Sequence, residues 1–158
     1  MGMYTGIRFK RYVKPEFRKE MSKIALTGDW NESTVTEFAR FGEIGRSGFI
    51  PCGSLAYMPD EWESDPRDKY GDGIPTDGFE RTYNEETGYW TFQCSLKNYQ
   101  SEIESFFDLI PFFIEKIEHL EYFYEEWDYS SRYDLYNGRV FEIDSKFIKY
   151  NDYGGYQF

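Results

Sequence analysis

The residue types best suited to recognition chemistry are concentrated between Glu118 and Gly138, in the stretch EHLEYFYEEWDYSSRYDLYNG. This stretch interleaves carboxylates with aromatic rings. Carboxylates pair with Lys and Arg, and aromatic rings supply the contact area that anchors an interface. We therefore predict a partner-binding surface formed by these residues: Glu118, Glu121, Tyr122, Tyr124, Glu125, Glu126, Trp127, Asp128 and Tyr129.

The geometry expected for this surface is that of a strand over residues 120–128, in which alternate side chains stand ~6.6 Å apart. On one face Glu121 and Glu125 would set carboxylates along a rigid ribbon, with Phe123 and Trp127 beside them. Exposed ion pairs contribute only ~0 to 1 kcal/mol each, so the rings would supply affinity and the acids steering. The alternative is that the rings form core and cross-strand pairs while the acids are only solvated.

A second acidic stretch, PDEWESDPRDKYGDGIPTDG, covers residues 59–78 and has no apolar period. A loop of this length is unusual inside a compact domain and is typically functional or disordered. An exposed Trp in its middle favours function, because a bare indole ring lowers solubility unless something covers it. We predict that the loop extends the partner-binding surface through these residues: Asp60, Glu61, Trp62, Glu63 and Asp65.

Motifs for metal binding are incomplete. In DKYGDG, Asp68 and Asp72 match positions of a calcium loop, but Tyr70 and Phe79 stand where two oxygen ligands are required. His119 is the only histidine, which excludes a multi-histidine metal centre. We expect no metal and no cofactor.

Signals for catalysis are equally incomplete. Cys52 and Cys94 are too few for a disulfide framework or a zinc site, and Cys94 falls on the apolar side of its strand, where a thiol is inert. Paired carboxylates could serve a hydrolase, but among 29 acidic residues such pairs are not specific. No phosphate-binding loop or nucleophile elbow is present. We expect a non-enzymatic protein, with a carboxylate-based hydrolase as the third hypothesis.

The charge of the chain is strongly asymmetric. The formal net charge is −11. Residues 1–23 hold seven basic and two acidic residues, a net +5, whereas residues 24–138 hold eight basic and 24 acidic residues, a net −16. Such a field repels nucleic acid and attracts cationic protein surfaces. We expect the short basic segment to pair with the protein's own acids, and we expect no direct binding of nucleic acid.

The compartment is predicted from what the sequence lacks. No apolar run approaches the ~20 residues of a membrane helix, and the start carries no signal-peptide core. The two cysteines show no disulfide pattern. These features predict a protein of the reducing cytoplasm that has no contact with membranes.

The first half of the chain is predicted to form a strand followed by short helices. Residues 4–13 alternate as a half-buried strand, Pro15 opens a helix that ends at Gly28, and a second short helix follows Asn31. The segment 49–58, FIPCGSLAYM, is predicted to be an irregular strand, and Pro51 and Gly53 favour a position at a sheet edge or a bulge.

The second half is predicted to be a hairpin, a helix and a meander. The hairpin covers residues 79–97, and Gly88 supplies a positive φ in its turn. A helix then runs to Ile117, started by a capping box of Ser101 and Glu104 and kinked or split at Pro111. A meander closes the chain: strands 120–128 and 132–136, then an Asn-Gly turn at 137–138 into a last strand.

This element order predicts a single α+β domain over residues 1–158, with helices on one face of a mainly antiparallel sheet. We expect the loop at 59–78 to interrupt it and the tail at 151–158 to be flexible. The stretch from GYWTFQCSLKN to HLEYFYEEW resembles the strand-helix-strand half of ferredoxin-like domains found on phages and plasmids, including the YubB-like family. The resemblance covers about a third of the chain and implies a fold, not a function.

Composition and size resemble those of another class. The chain has 15 Tyr, 15 Phe and no catalytic motif, and in this it is similar to the small acidic inhibitors that phages use against host nucleic-acid enzymes, including anti-CRISPR proteins. The resemblance implies a protein that engages a basic groove of a host protein, such as a Cas nuclease, and blocks nucleic-acid access or activation. The second hypothesis is a protein-interaction or immunity module whose target is unrelated to nucleic acid.

Overall fold

The computed structural model describes residues 3–59, 62 and 78–149. Two short 3-10 turns, Pro15–Phe17 and Trp30–Glu32, precede the first two helices. The regular elements are, in chain order, β1 (Tyr4–Val13), α1 (Arg18–Met21), α2 (Thr36–Gly42), α3 (Phe49–Cys52), β2 (Thr82–Tyr83), β3 (Tyr89–Lys97), α4 (Glu102–Phe113), β4 (Ile114–Tyr124), β5 (Tyr129–Tyr136) and β6 (Arg139–Lys149).

The strands form one antiparallel sheet in the order β2-β3-β1-β4-β5-β6. β1 lies at its centre and pairs along its length with both β3 and β4, so that Phe9 stands opposite Phe92 on one side and Leu120 on the other. The predicted α+β class with a mainly antiparallel sheet is confirmed. Within the described residues no helix has the length and apolarity needed to cross a membrane.

The main core is aromatic and lies between the sheet and the helices. Phe9 stacks on Phe92 with ring centroids 4.5 Å apart, and Trp90 and Phe106 lie 4.8 and 5.5 Å from it. Trp30 fills the space between the helices and donates its indole N–H to the Ile50 carbonyl at 2.7 Å. Burying an indole is favourable only when its N–H is satisfied, and here it is.

The three central strands are also buried on the face opposite the helices. Arg8, Glu121 and Phe123 point to that face and are buried there. Phe123 packs with Trp62 and Met58 in a second, smaller apolar cluster. A Cβ atom on Gly6 would lie 2.7 Å from the Trp62 ring, so glycine is required there for the indole to seat on the sheet.

The segment Phe49–Met58 is not the predicted strand. It begins as the helical turn α3 and continues as a loop that crosses the outer edge of β3, where the Ser95 N–H donates to the Ser54 carbonyl at 2.9 Å. The prediction was wrong because Pro51 has no N–H for a ladder and the buried side chain of Ile50 belongs to the helical layer.

The start of α4 also differs from the predicted capping box. Ser101 has a φ of 58° and its side chain makes no capping bond. Asn98 supplies the cap instead: its Oδ1 accepts the Ile103 N–H at 2.9 Å, and its Nδ2 donates to Glu104 Oε1 at 2.7 Å. The cap therefore comes from a residue that the Ser-x-x-Glu pattern does not include.

The end of α4 comes earlier than predicted. The helix includes Pro111, ends at Phe113 and passes directly into β4 at Ile114. Lys14 supplies hydrogen bonds to two carbonyl groups at this end of the helix. Its backbone N–H donates to the Phe113 carbonyl at 2.8 Å, and its ammonium group donates to the Pro111 carbonyl at 3.2 Å. His119 consequently lies inside a strand instead of at a junction.

The hairpin turns agree with their predicted chemistry. Gly88, between β2 and β3, has a φ of 78°, and Asn137 and Gly138, between β5 and β6, have φ values of 53° and 74°. Two successive positive φ values are those of a type I′ turn, whose twist matches the flanking strands.

The cap of α4 can be tested with two alanine substitutions. We expect Asn98→Ala to lower the free energy of unfolding by about 1 kcal/mol, because the Ile103 N–H loses its acceptor. Ser101→Ala should change it by less than ~0.5 kcal/mol, because that hydroxyl makes no cap. Urea unfolding of both variants measures the difference. A larger loss of unfolding free energy for Ser101→Ala than for Asn98→Ala would instead support the predicted capping box.

Candidate functional site

The residues predicted to bind a partner do not form one surface. Glu121, Glu125 and Trp62 are buried. Tyr122, Tyr124 and Tyr129 are half-buried, and Glu118, Glu126, Trp127 and Asp128 are exposed. The remaining predicted residues, Asp60, Glu61, Glu63 and Asp65, lie outside the described residues.

Glu121 lies at the centre of a charged layer on the second face of the sheet. Its side chain is 0 % exposed, and its Oε1 lies 2.7 Å from His119 Nε2. Arg8 on β1 and Arg132 on β5 are its cross-strand neighbours. A buried carboxylate is tolerated when it is paired and hydrogen-bonded, and this one is. The prediction that Glu121 projects from an exposed ribbon is therefore wrong.

Aromatic rings cover this charged layer. The Arg8 guanidinium donates to Gln93 Oε1 at 3.0 Å, and its central carbon lies 5.0 Å from the Trp62 ring and 4.5 Å from the Phe79 ring. Phe79 in turn meets the imidazole of His119 edge-on at 4.8 Å. Trp62 is thus a buried cover over a cation, and the prediction that it is an exposed interface residue is wrong.

Glu125 closes the end of the sheet. Its N–H donates to the Tyr4 carbonyl at 3.0 Å, and its carboxylate accepts the N–H of Tyr4. Both polar groups at the start of β1 are therefore satisfied by one residue. Glu125 is buried for that reason and cannot serve as the surface carboxylate that the strand period predicted.

The strand period itself stops at Tyr124, where β4 ends. The chain then turns, and the Trp127 N–H donates to the Tyr124 carbonyl at 2.8 Å. The Trp127 ring lies against Tyr122 and Tyr124, with centroid distances of 5.6 and 5.9 Å. Trp127 and Phe123 were predicted to share a face; this is wrong, because Phe123 packs on Trp62 instead.

What remains at the surface is a compact patch at the β4–β5 turn. We call it the acidic turn surface and define it as Tyr124, Glu126, Trp127, Asp128, Tyr129 and the neighbouring Glu104. The Trp127 side chain is 39 % exposed. Glu104 is included because it accepts a hydrogen bond from the Tyr122 hydroxyl, at 2.9 Å from its Oε2. Burial raises the pKa of the Tyr122 hydroxyl. An exposed indole bordered by carboxylates attracts cations by charge and by its ring face.

Glu118 does not belong to this patch. It lies six positions before Tyr124 in the sequence, a distance of ~20 Å along β4. Its Oε1 accepts the Tyr89 hydroxyl at 3.0 Å, and Tyr89 packs against Tyr12 at 4.9 Å. Glu118 therefore takes part in a separate contact across the sheet, near the middle of β4.

The basic N-terminal segment pairs in part with the protein's own acids, as predicted. Arg18 Nη2 lies 3.3 Å from Glu115 Oε1, and Lys23 Nζ lies 3.4 Å from Glu20 Oε1. Arg11 is different. It is fully buried over the Phe9 ring at 4.5 Å, its guanidinium has no hydrogen-bond partner among the described residues, and burial lowers its pKa to about 9. Only its position on the apolar side of β1 could have indicated this.

A carboxylate-based hydrolase requires a cavity that contains acidic side chains. One cavity of about 100 Å³ is lined by Glu20, Asp29 and Glu32. Hydrogen bonds from Ser33 and Thr34 lower the pKa of Glu20, whereas a general acid needs a raised pKa.

Metal and thiol chemistry find no better support. No group of three or more His, Cys, Asp or Glu is placed to hold a metal ion in the part of the chain that is described. Cys94 is fully buried, and burial raises the pKa of its thiol, which keeps the sulfur protonated.

Comparison with known proteins adds no assignment: no family model matches the chain, and neither does any curated protein or solved structure. The fold and the candidate site together define a small α+β domain with an acidic, aromatic turn surface. Function has to be argued from that surface.

The separation of buried and exposed acids can be tested by charge reversal. We expect Glu121→Lys to lower the free energy of unfolding by about 3 kcal/mol or more, because it leaves cations facing one another in a buried layer. Glu126→Lys should change it by less than ~0.5 kcal/mol, because that side chain is in solvent. Similar urea midpoints for the two variants would contradict the assigned burial.

The charged layer also predicts a pH dependence. Burial lowers the pKa of His119, aided by Arg132 and Arg8 and opposed by its hydrogen bond to Glu121. The unfolded chain therefore binds the proton more readily, so stability is complete above the unfolded pKa of ~6.5 and declines as the pH falls through it. We expect the free energy of unfolding to fall between about pH 7.5 and about pH 5.5.

The matched variant for this prediction is His119→Gln, which removes the titrating group and keeps a polar side chain beside Glu121. In this variant the free energy of unfolding should fall much less over the same pH range. An equal decline in both chains would assign the effect to other groups.

Proposed function

We propose that this protein is a non-enzymatic, cytoplasmic inhibitor of the kind carried by phages or mobile elements. In this proposal it binds a basic groove of a host nucleic-acid enzyme, such as a Cas nuclease, through the acidic turn surface, and blocks nucleic-acid access or activation. The observation that supports it best is the exposed Trp127 ring, which contacts the rings of Tyr122 and Tyr124 and is followed by the solvated carboxylate of Asp128.

The ring supports binding because its position is fixed before any partner arrives. The rings of Tyr122 and Tyr124 pack against it, and its backbone N–H donates to the Tyr124 carbonyl. A fixed ring loses little conformational entropy on binding, and Trp is among the residues that contribute most at the centres of interfaces. A Lys or Arg from a basic groove would meet the free part of the ring and the carboxylates beside it.

The charge supports the choice of partner. A chain with a net charge of −11 is steered toward cationic surfaces and away from phosphates. Grooves that hold nucleic acid are lined with Lys and Arg, so they present the complement of Glu104, Glu126 and Asp128. The cytoplasmic assignment agrees with Cys52 and Cys94, which are free thiols.

A second candidate is a protein-interaction or immunity module whose target is unrelated to nucleic acid. The edge strand β6 favours it, because Phe141 and Ile143 are 42 and 52 % exposed there. Among the described residues no strand pairs with the outer edge of β6, and an edge with exposed apolar side chains suits the addition of a strand from another protein, which does not need a basic partner.

The test begins with the immobilised chain and a bacterial lysate, followed by purification of the retained protein. We expect a nucleic-acid enzyme whose binding weakens steeply with salt and competes with its nucleic acid. Trp127→Ala should weaken binding about 30-fold, the loss typical of a central interface residue. The double variant Glu126→Lys, Asp128→Lys should mainly slow association.

Controls separate the two candidates. Glu37→Lys changes an exposed acid on α2, outside the acidic turn surface, and should leave affinity unchanged. The double variant Phe141→Ser, Ile143→Ser should also bind normally. Normal binding by Trp127→Ala together with loss in the β6 variant would favour the second candidate and end the first.

A further inference from the structure

A cavity of about 460 Å³ opens beside β3, where the loop that follows α3 crosses the edge of the sheet. Its walls include Tyr4 on β1, Phe49 and Cys52 on α3, Lys97 on β3 and Arg46 in the preceding loop. Sites for small molecules have volumes of about 300 to 1,000 Å³, so the cavity is large enough for a ligand of one or two rings.

The charge of this cavity is opposite to that of the protein as a whole. Its described lining contains Arg46 and Lys97 but no Asp or Glu. Neither cation forms an ion pair with any described residue. In a chain with a net charge of −11, two cations without an acidic partner at one cavity are unusual. They can pair with an anion that enters from solvent.

Both cations are held by aromatic rings. The Arg46 guanidinium lies over the Tyr99 ring at 4.6 Å, and the Lys97 ammonium lies 5.8 Å from the centre of the Tyr4 ring. A contact with a ring face takes up no oxygen acceptor, so the N–H donors of both side chains can still bind an anion. Arg is also the side chain whose planar fork matches carboxylate and phosphate oxygens.

A buried carboxylate fixes the loop that carries Arg46. Glu102, at the start of α4, is fully buried and accepts the N–H groups of Arg46 at 2.8 Å and Gln100 at 3.0 Å. The Gln100 side chain accepts the Gly45 N–H at 3.0 Å. These bonds tie the loop before α3 to the loop before α4, so the position of Arg46 over Tyr99 is set without a ligand.

The rest of the cavity is suited to a flat ring. Phe49 on its wall is 49 % exposed, although a bare Phe ring costs free energy in water. Tyr4 packs against Tyr57, with ring centroids 5.3 Å apart, and Tyr57 has a φ of 64°. A non-glycine residue in this strained region persists only where the surroundings hold it, and such residues are frequent at binding sites.

We infer that this cavity binds a small organic anion: a flat ring that carries a phosphate or a carboxylate. Arg46 and Lys97 bind the anionic group, and the ring packs on Phe49 and Tyr4. A mononucleotide and an aromatic carboxylate both have this chemistry. The inference is independent of the proposed function, because the acidic turn surface has the opposite charge and shares none of these side chains.

Calorimetric titration of the full chain at low salt tests the inference, with AMP and benzoate as probes. At least one should bind, and Arg46→Ala and Lys97→Ala should each weaken it about tenfold or more, the usual loss for a charge-assisted hydrogen bond. Tighter binding of AMP assigns the phosphate form of the ligand, and tighter binding of benzoate assigns the carboxylate form. Adenosine lacks the anionic group and inorganic phosphate lacks the ring, so each should bind at least about tenfold more weakly than AMP.

The matched controls are Arg40→Ala and Lys19→Ala, which remove exposed cations outside the cavity. Both should bind the probe as the parent chain does, and thermal unfolding should show all four variants folded. Absence of binding by both probes at millimolar concentration would overturn the inference, and so would unchanged affinity in Arg46→Ala. An acidic peptide that binds more tightly than either probe and is lost in Arg46→Ala would replace the small ligand with a protein partner.

Discussion

The constraint on which the rest of this structure depends is the burial of the central strands on both faces. On β1, Ile7 and Phe9 meet the aromatic core, while Arg8 is buried on the opposite face under Trp62 and Phe79. An antiparallel sheet with one wet face can place its charges outward, but this sheet cannot. Arg8 and Glu121 of the central strands therefore lie inside the fold, where Glu121 pairs with His119 and Arg8 with Gln93.

This constraint decides which acids are available for recognition. Towards the end of β4, Glu121 is buried, Glu125 just beyond the strand closes the sheet against Tyr4, and the next carboxylates in solvent are those of Glu126 and Asp128 after the chain turns. The acidic turn surface is small for that reason. Its strength as a candidate site comes from the supported ring of Trp127, and the surrounding charge gives it a preference for basic partners.

The class of fold could be predicted from the sequence because period, turn chemistry and proline placement are local signals. The strand at residues 4–13, the hairpin around Gly88 and the Asn-Gly turn at 137–138 follow from them. The candidate site could be predicted only in part, because alternation identifies two faces but does not show that both are covered. Trp62 covers the second face from a distant part of the chain, and no local pattern encodes that contact. The cavity with Arg46 and Lys97 was missed, because its walls come from three separate segments of the chain.

The four tryptophans allow a direct measurement of this account, because Trp30 and Trp90 are buried on the helix face, Trp62 on the opposite face, and Trp127 is exposed beside Glu126 and Asp128. Fluorescence quenching by caesium and by iodide distinguishes both exposure and local charge. One component of the tryptophan fluorescence should be quenched by caesium more strongly than by iodide. Trp127→Phe should abolish that component. Quenching that persists in Trp127→Phe, or iodide as effective as caesium, would show that the second face is open or that the turn is not acidic, and would contradict the account.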